Sequence, residues 1–337
     1  SIDEMNTLRK DKNPSFECCE ADYFLAYKDG KVAGRVAAII NHRANERWQC
    51  HQVRFGWFDF IDDQEVSKAL MDAVAQWGRE RGMKEMAGPL GFIDTDREGM
   101  LVDGFEELST MYVNYNYPYY AEHMARYGGF EKDNDYVEMK VRIPQDDNFK
   151  FHKVAEIVKQ RYGLRVHKFT RSELVSEGWG REVFHLLNAT YKDLYGFSEL
   201  SSQQIDKLVN DYIKIADLNL VTAVMDGDRM IGFGITFSSM SRALQHCKDG
   251  RLWPLGWWHV LKVLKRHATD TVDLLLIGVL PEYRAKGANA LIFDDLILQY
   301  QRYGFTWAVT GPQMEKNEAV LAQWQYLDSK VFRRPRC

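Results

Sequence analysis

"LLIGVLPEYRAKGANALIF", residues 275–293, reads as an apolar strand, a basic turn with a glycine, then an apolar helix. Pro281 ends strand pairing, Arg284 and Lys286 supply two cations, and Gly287 allows close backbone approach. A helix starting just after them presents unpaired N–H groups and roughly half a positive charge to the same turn. That combination suits a pyrophosphate. A solvated basic turn ahead of a helix has the same local grammar, so the stretch by itself leaves both readings open. A second stretch, "FGWFDFIDDQEVSKALMDAV" (55–74), has the same outline with the opposite charge. Its turn, "IDDQEVSK" (61–68), carries Asp62, Asp63 and Glu65 and no glycine. Carboxylates at a helix N-terminus already occupy the dipole as caps and repel a phosphate. Only the turn at 281–290 is therefore read as an anion site.

The two stretches belong to a longer repetition. "YFLAYKDGKVAGRVAAII" (23–40) and "LVTAVMDGDRMIGFGITF" (220–237) each read as strand, Asp-Gly turn, strand, the pair of turn residues that tolerates positive φ in a tight hairpin. An apolar strand follows in each half, at 55–61 and 272–280, then a helix of about 14–16 residues with apolar spacing of three and four. Gly82 and Gly304 are expected as left-handed helix ends. The strands after them, in "RERGMKEMAGPLGF" (79–92) and "QRYGFTWAVTGPQM" (301–314), both run into Gly-Pro. One order of elements occurring twice predicts a tandem duplication with α/β units at 1–145 and 146–337, the break falling near "VRIPQDDNFK" (141–150). The strand "LRVHKFTR" and helices over 181–217, the second capped by Ser201 and Ser202, have no counterpart before residue 23, which fits a first copy trimmed at its start.

Composition narrows the function classes. The 337 residues are 45% hydrophobic and 27% charged, a globular balance, and no apolar run approaches the ~20 residues of a membrane span. A net charge of −4 with no basic stripe argues against a nucleic-acid partner. Five scattered cysteines lack metal spacing and suit a reduced cytoplasmic protein; no metal site is expected. The chain begins at Ser1 and stops after "RRPRC", so trimming at both ends is expected.

"VLPEYRAKGANALIF" resembles the acyl-CoA motif of the GNAT N-acyltransferase superfamily, a strand followed by Arg/Gln-x-x-Gly-x-Gly/Ala and a helix. Arg284 and Gly287 match, Asn289 stands where Gly or Ala is usual, and Ala288 and Ala290 keep the turn small. "NEAVLAQW" (317–324) resembles the family's Asn followed by a helix with Tyr seven residues on; Asn317 matches, while Trp324 holds the Tyr position and Tyr326 lies two further along. The resemblance covers about 190 residues of the second copy and, more weakly, about 120 of the first. It implies two mixed, mostly antiparallel sheets flanked by helices (an α/β, or α+β, architecture). It also implies acyl transfer from acyl-CoA or acetyl-CoA to an amine. Ile277 and Val279 would meet the pantetheine arm, and Arg284, Ala285, Lys286, Gly287, Ala288 and Asn289 the pyrophosphate, with Asn317 nearby. Tyr326 is the substitute for the family's tyrosine acid.

Acyl transfer also needs a base for the amine. Asp273, early on the central strand, is one candidate. The other candidates lie in "GPLGFIDTDREGMLVDGFEELSTMYVNYNYPYYAEHM" (88–124), a segment too long for a plain connector. There Asp94, Asp96, Arg97, Glu98, Tyr117, Tyr119 and Tyr120 are read as binding or deprotonating the amine, with His123 a further base. The same segment reads alternatively as a packing arm with an Asp94–Arg97 salt bridge. "LWPLGWWHVLKVLKRH" (252–267) reads as a Trp-rich basic amphipathic helix, suited either to packing on the sheet or to peripheral membrane contact. Aromatic, alkyl-lined surfaces favour a lipophilic acyl or amine partner. A non-catalytic binding protein and an aminoacyl-tRNA-dependent transferase of the same fold are the rival readings.

Overall fold

The computed structural model describes residues 2–194 and 196–337. Strands β1 (Cys19–Lys28), β2 (Lys31–Asn41), β3 (Gln52–Phe60) and β4 (Glu85–Ala87) form one sheet in that order, with β3 and β4 parallel and the rest antiparallel. Helix α1 (Gln64–Glu80) crosses from β3 to β4 and buries Val66, Leu70, Met71, Val74 and Trp77 on it. Strand β5 (Met100–Asp103) and helix α2 (Tyr119–Tyr127) follow, then β6 (Tyr136–Arg142), helix α3 (Lys150–Tyr162) and β7 (Arg165–His167). Helices α4 (Trp179–Tyr191) and α5 (Ser202–Ile215) lead into the hairpin β8 (Val221–Asp226) and β9 (Arg229–Ser238). Helix α6 (Gly256–Arg266) precedes β10 (Thr271–Val279), and α7 (Asn289–Tyr303) joins β10 to β11 (Trp307–Thr310). Short β12 (Gln313–Met314) and β13 (Ser329–Arg336) end the chain.

Each half thus has hairpin, central strand, helix and parallel strand in one order, as the repeated grammar predicts. The expected hairpins turn at Asp29-Gly30 and at Gly227, with φ positive at all three. Gly304 caps α7 in the left-handed conformation and Gly82, also at positive φ, follows the end of α1. Helix α5 starts at a capping box in which Ser201 and Gln204 satisfy each other's backbone, the arrangement that removes two orphan donors.

The second sheet runs β5-β13-β6-β11-β10-β9-β8-β7, with β12 on β6. Strand β6, which the sequence places at the end of the first unit, therefore sits between β11 and β13 in the second unit's sheet. β5 extends the same sheet through β13. Helix α7 lies close on the sheet because β9 carries glycine beneath it: a Cβ on Gly234 would fall 2.6 Å from Ile292. Buried Asp294 of α7 accepts from His152 (2.7 Å) and Lys159 (3.3 Å) and so fastens α3 along α7.

Where the halves interlock, Arg333 of β13 and Glu138 of β6 are both fully buried and meet at 3.2 Å, while a second Arg333 nitrogen donates to the Asn114 carbonyl (3.0 Å). Removing one member of such a pair strands the other charge in a low dielectric. Arg333→Met is expected to cost ~3–5 kcal/mol in urea denaturation, and the double change Glu138→Leu with Arg333→Met to recover most of that loss.

Candidate active site

Strands β10 and β11 pair in parallel from Thr271–Leu274 to Trp307–Thr310, and Gly311 N donates once more to the Leu274 carbonyl (3.2 Å). Beyond that point β10 continues with β9 alone, after a register shift between Leu274 and Leu276. Residues Leu274–Ile277, in the middle of the sheet, are consequently only half-buried. The gap is a place where a chain-like ligand can lie along strand edge. In the first unit the same gap is closed. Leu90 N donates to the Phe55 carbonyl (2.8 Å), and a Cβ on Gly56 would meet the Leu90 oxygen at 2.4 Å.

The acidic turn of the first unit behaves as its charge dictates. Asp63 caps α1 by accepting from Glu65 and Val66 N–H and pairs with Lys28. Asp62 accepts from His123 Nε2 at 2.8 Å. His123, 2% exposed, also meets Ser67 through Nδ1 (2.8 Å) and packs at a tilt against the Phe60 and Tyr119 rings. It locks α2 onto the first unit, remote in its contacts from the open gap.

In the second unit the turn after β10 has a short helical turn at Pro281–Arg284, then Gly287 at φ +79° and α7. A Cβ there would only graze Val158 and Val154 of α3 (3.4 and 3.6 Å). Arg284 reaches back, its Nε donating to the Val279 carbonyl (2.9 Å) and Nη2 to the Thr190 carbonyl (3.0 Å). The Ile277 carbonyl accepts from the Tyr191 hydroxyl (3.0 Å). Lys286 lies over the Tyr283 and Tyr162 rings. The N–H groups of Lys286, Gly287 and Ala288 bond within the turn, to Tyr283 and Arg284 carbonyls, Ala285 is exposed, and Asn289 opens α7 without a side-chain cap. Residues Leu274–Ile277 thus present an open strand edge. At the turn, the free guanidinium nitrogen of Arg284, Lys286 and the α7 N-terminus supply positive charge.

Asn317 caps a short helix by accepting from Val320 N (3.4 Å). Trp324 is buried and its indole N–H donates to Gln313 (2.8 Å). Tyr326 is exposed, with Lys150 over its ring at 3.3 Å and Phe151 against its edge. None of these contacts is shared with Asp273, so the structure does not bring the two together.

Asp273 is 2% exposed and stands on the last stretch where the three central strands are all paired. Its antiparallel partner is Phe237, so its side chain shares a face with the ring against which Tyr212 of α5 and Tyr112 pack. Burial pushes its carboxyl up to about 7, against one hydrogen bond from Ser239. Oδ1 of Asp273 and the hydroxyl of Tyr112 have no partner, and burial, with Tyr212 and then Asp273 nearby, pushes the Tyr112 hydroxyl well above its ordinary range. Sequence reading missed Tyr112 and Ser239, whose only signal is adjacency in space.

The 88–124 segment divides. Asp96 accepts from Phe92 and Ile93 N–H and Asp94 from Ser198 N–H, so both carboxylates order backbone. Buried Arg54 lies among them and donates to the Gly91 and Gly196 carbonyls. Burial raises Asp94 to about 6 and, with Asp94 beside it, Glu98 to about 8. Exposed Arg97 donates to the Met111 carbonyl (3.1 Å), not to Asp94 as a packing arm would have it. Tyr119 and Tyr120 bond the carbonyl and N–H of Phe60, and Tyr117 stacks on Tyr119. Tyr119 and Tyr120 thus tie back to the first sheet, and Tyr120 also lines a cleft beside it. This cleft, of about 370 Å³, opens between the two parts and is lined by Trp57, Phe58, Met111, Tyr112, Tyr115 and Tyr120 with Asp59, Asp96 and Arg97. Tyr112 is the wall shared by this cleft and Asp273.

Among the described residues no group of three or more His, Cys, Asp or Glu side chains is placed to hold a metal ion.

No family model matches the chain. It is 25% identical to the bacterial ceramide synthase of Caulobacter vibrioides over 338 residues, which is 95% of this chain and 83% of that protein. It is also 25% identical to Protein YghO of Escherichia coli over 287 residues, 83% of this chain and 71% of that one. The GCN5-related glucosamine N-acetyltransferase region of a fungal multi-domain GH3 β-N-acetylglucosaminidase superposes with TM-score 0.53 at 13% identity, over 94% of this chain and 32% of that chain. A tandem GNAT protein from the clavulanic acid biosynthesis pathway gives 0.52 at 10% identity, over 95% and 82%. The fold is the tandem GNAT fold.

The Asp273 carboxyl has a consequence that needs no substrate. Between the ordinary carboxylate range and about 7 the folded chain holds a proton that the unfolded chain has lost, so this group's contribution to stability falls as pH rises through that window. Asp273→Asn is expected to be more stable than wild type by about 2–4 kcal/mol at pH 8, the difference closing toward pH 4, in urea titrations at both pH values.

Proposed function

We propose that this chain is an acyl-CoA-dependent N-acyltransferase whose acceptor is a lipophilic amine. The observation that carries the reading is Asp273: a buried carboxyl raised to about 7, with a free oxygen, where the β10–β11 ladder ends. A base whose pKa sits near the working pH combines the right protonation state with adequate driving force. The thioester would lie along β10 at Ile277 and Val279, its phosphates toward Lys286 and the start of α7. The amine nitrogen attacks the thioester carbonyl carbon, forming C–N as C–S breaks. Asp273 takes the proton lost by nitrogen and returns it to the thiolate, because thiols hold protons more tightly (~8.5) than a carboxyl near 7. Tyr112 packs on Phe237, the strand partner of Asp273, from the cleft side. The cytoplasm, where five free thiols stay reduced, is the proposed location.

Two facts support an acceptor with a long chain. The cleft beyond Tyr112 pairs aromatic and methionine walls with Asp59, Asp96 and Arg97, a lining for an amphiphile. The relative covering 95% of the chain is named for ceramide synthesis, and a ceramide is the amide of a fatty acid with a long-chain amino alcohol. The second reading is ligand binding without turnover, favoured by the commitment of Arg284 to the Val279 and Thr190 carbonyls.

The test is thiol release together with mass detection of the amide, from long-chain acyl-CoA and a long-chain amino alcohol. Turnover is expected to rise with pH through about 7 in wild type. Asp273→Asn should lower kcat by ~10²–10⁴ and flatten that limb. A thermal shift with acyl-CoA but no amide from any amine would assign the binding role instead.

A further inference from the structure

Five of the seven residues from Leu252 to Trp258 are large apolar side chains held in solvent: Leu252 51%, Trp253 77%, Leu255 70%, Trp257 40% and Trp258 44% exposed. They are not a frayed loop. Trp257 donates its indole N–H to the Pro254 carbonyl (2.8 Å), its ring meets Trp258 edge-on, and the Trp257 backbone N–H donates to Leu252 (2.7 Å). α6 begins within this cap, and its inner side packs Val263, Val260 and Leu264 on Met240, Ala243 and Met111. Residues 248–267 carry Lys248, Arg251, Lys262, Lys265 and Arg266 against a single carboxylate, Asp249. Among the described residues none of these five cations forms a salt bridge, Lys262 lying instead over the Trp258 ring at 5.3 Å, although the chain as a whole is acidic at −4. Another cluster of exposed apolar side chains, Tyr23, Leu25 and Tyr27, alternates along edge strand β1 among charges of both signs.

We propose that residues 248–266 are a docking surface for an anionic lipid bilayer. Tryptophan and leucine settle at the headgroup level, and the unpaired Lys and Arg side chains meet lipid phosphates, the composition by which interfacial helices hold to membranes. Among the described residues no helix is long and apolar enough to cross a membrane, so this contact is peripheral. Its inner face leads through Met111 to Tyr112, and thence to Asp273 and the cleft. Delivery of a lipid-borne amine by that route rests on the proposed acyltransferase reading; the docking does not.

The test uses the full chain with vesicles of phosphatidylcholine alone and of phosphatidylcholine mixed with phosphatidylglycerol. Binding is expected to the mixed vesicles, to weaken with added salt, and to drop at least about tenfold in Trp253→Ser with Leu255→Ser and in Lys262→Glu with Lys265→Glu. Asp273→Asn should bind as wild type, which separates docking from catalysis. Brominated lipids should quench tryptophan emission of the unaltered chain, a readout that needs no variant. Absence of both binding and quenching overturns the proposal, as does binding that the two double variants leave intact. A concentration-dependent dimer lost in those variants, with no vesicle binding, would give the surface to a second copy of the chain.

Discussion

The hydrogen-bonded ladder between β10 and β11 runs from Thr271 to Leu274 and then stops. A parallel pair inside a sheet ordinarily continues until one strand ends, because unpaired backbone groups away from water are costly. Here β10 goes on to Val279 while β11 turns away into Gly311-Pro312. The exposed edge is compensated piecemeal, by Tyr191 on the Ile277 carbonyl and Arg284 on that of Val279. Everything assigned to the site depends on this divergence. It half-exposes Leu274–Ile277 and leaves Asp273 one residue before the last paired position, Leu274.

The first unit shows what the same architecture becomes when the gap is filled. Its central strand meets the Leu90 backbone where the second unit has space, and its turn spends Asp63 on capping and Asp62 on His123. This copy contributes structure to its sibling. β6 and β5 enter the second sheet, Asp94 accepts from Ser198, and Arg97 holds the Met111 carbonyl beside Tyr112. The buried Arg333–Glu138 pair sits at this exchange, where a charge without its partner would be intolerable.

Some readings from sequence needed only local rules. Hairpin turns at Asp29-Gly30 and Asp226-Gly227, the Ser201 cap, the Gly304 helix end and the acid caps of α1 follow from φ preferences and orphan N–H groups within a few residues. Asp273 was legible as a carboxylate on an apolar strand. Its partners were not: Tyr112 lies 161 positions away in a segment read chiefly for its acids and tyrosines. Tyr117, Tyr119, Tyr120 and His123 read as a ligand wall because aromatic clusters serve cores and pockets equally, and of these four Tyr120 does line the cleft. The backbone of Phe60 claims two of those hydroxyls.

The sequence by itself determined the repeat, the element order, the charge contrast between the two turns and the basic tryptophan cap, since each is written in neighbouring residues and obeys short-range sterics and charge. Only the tertiary structure decided that β6 crosses into the second sheet, that Arg284 folds back on two carbonyls, and that Tyr112 arrives beside Asp273. Those outcomes come from long-range strand pairing and from desolvation. Both depend on which surfaces meet, and no local pattern of residues records that.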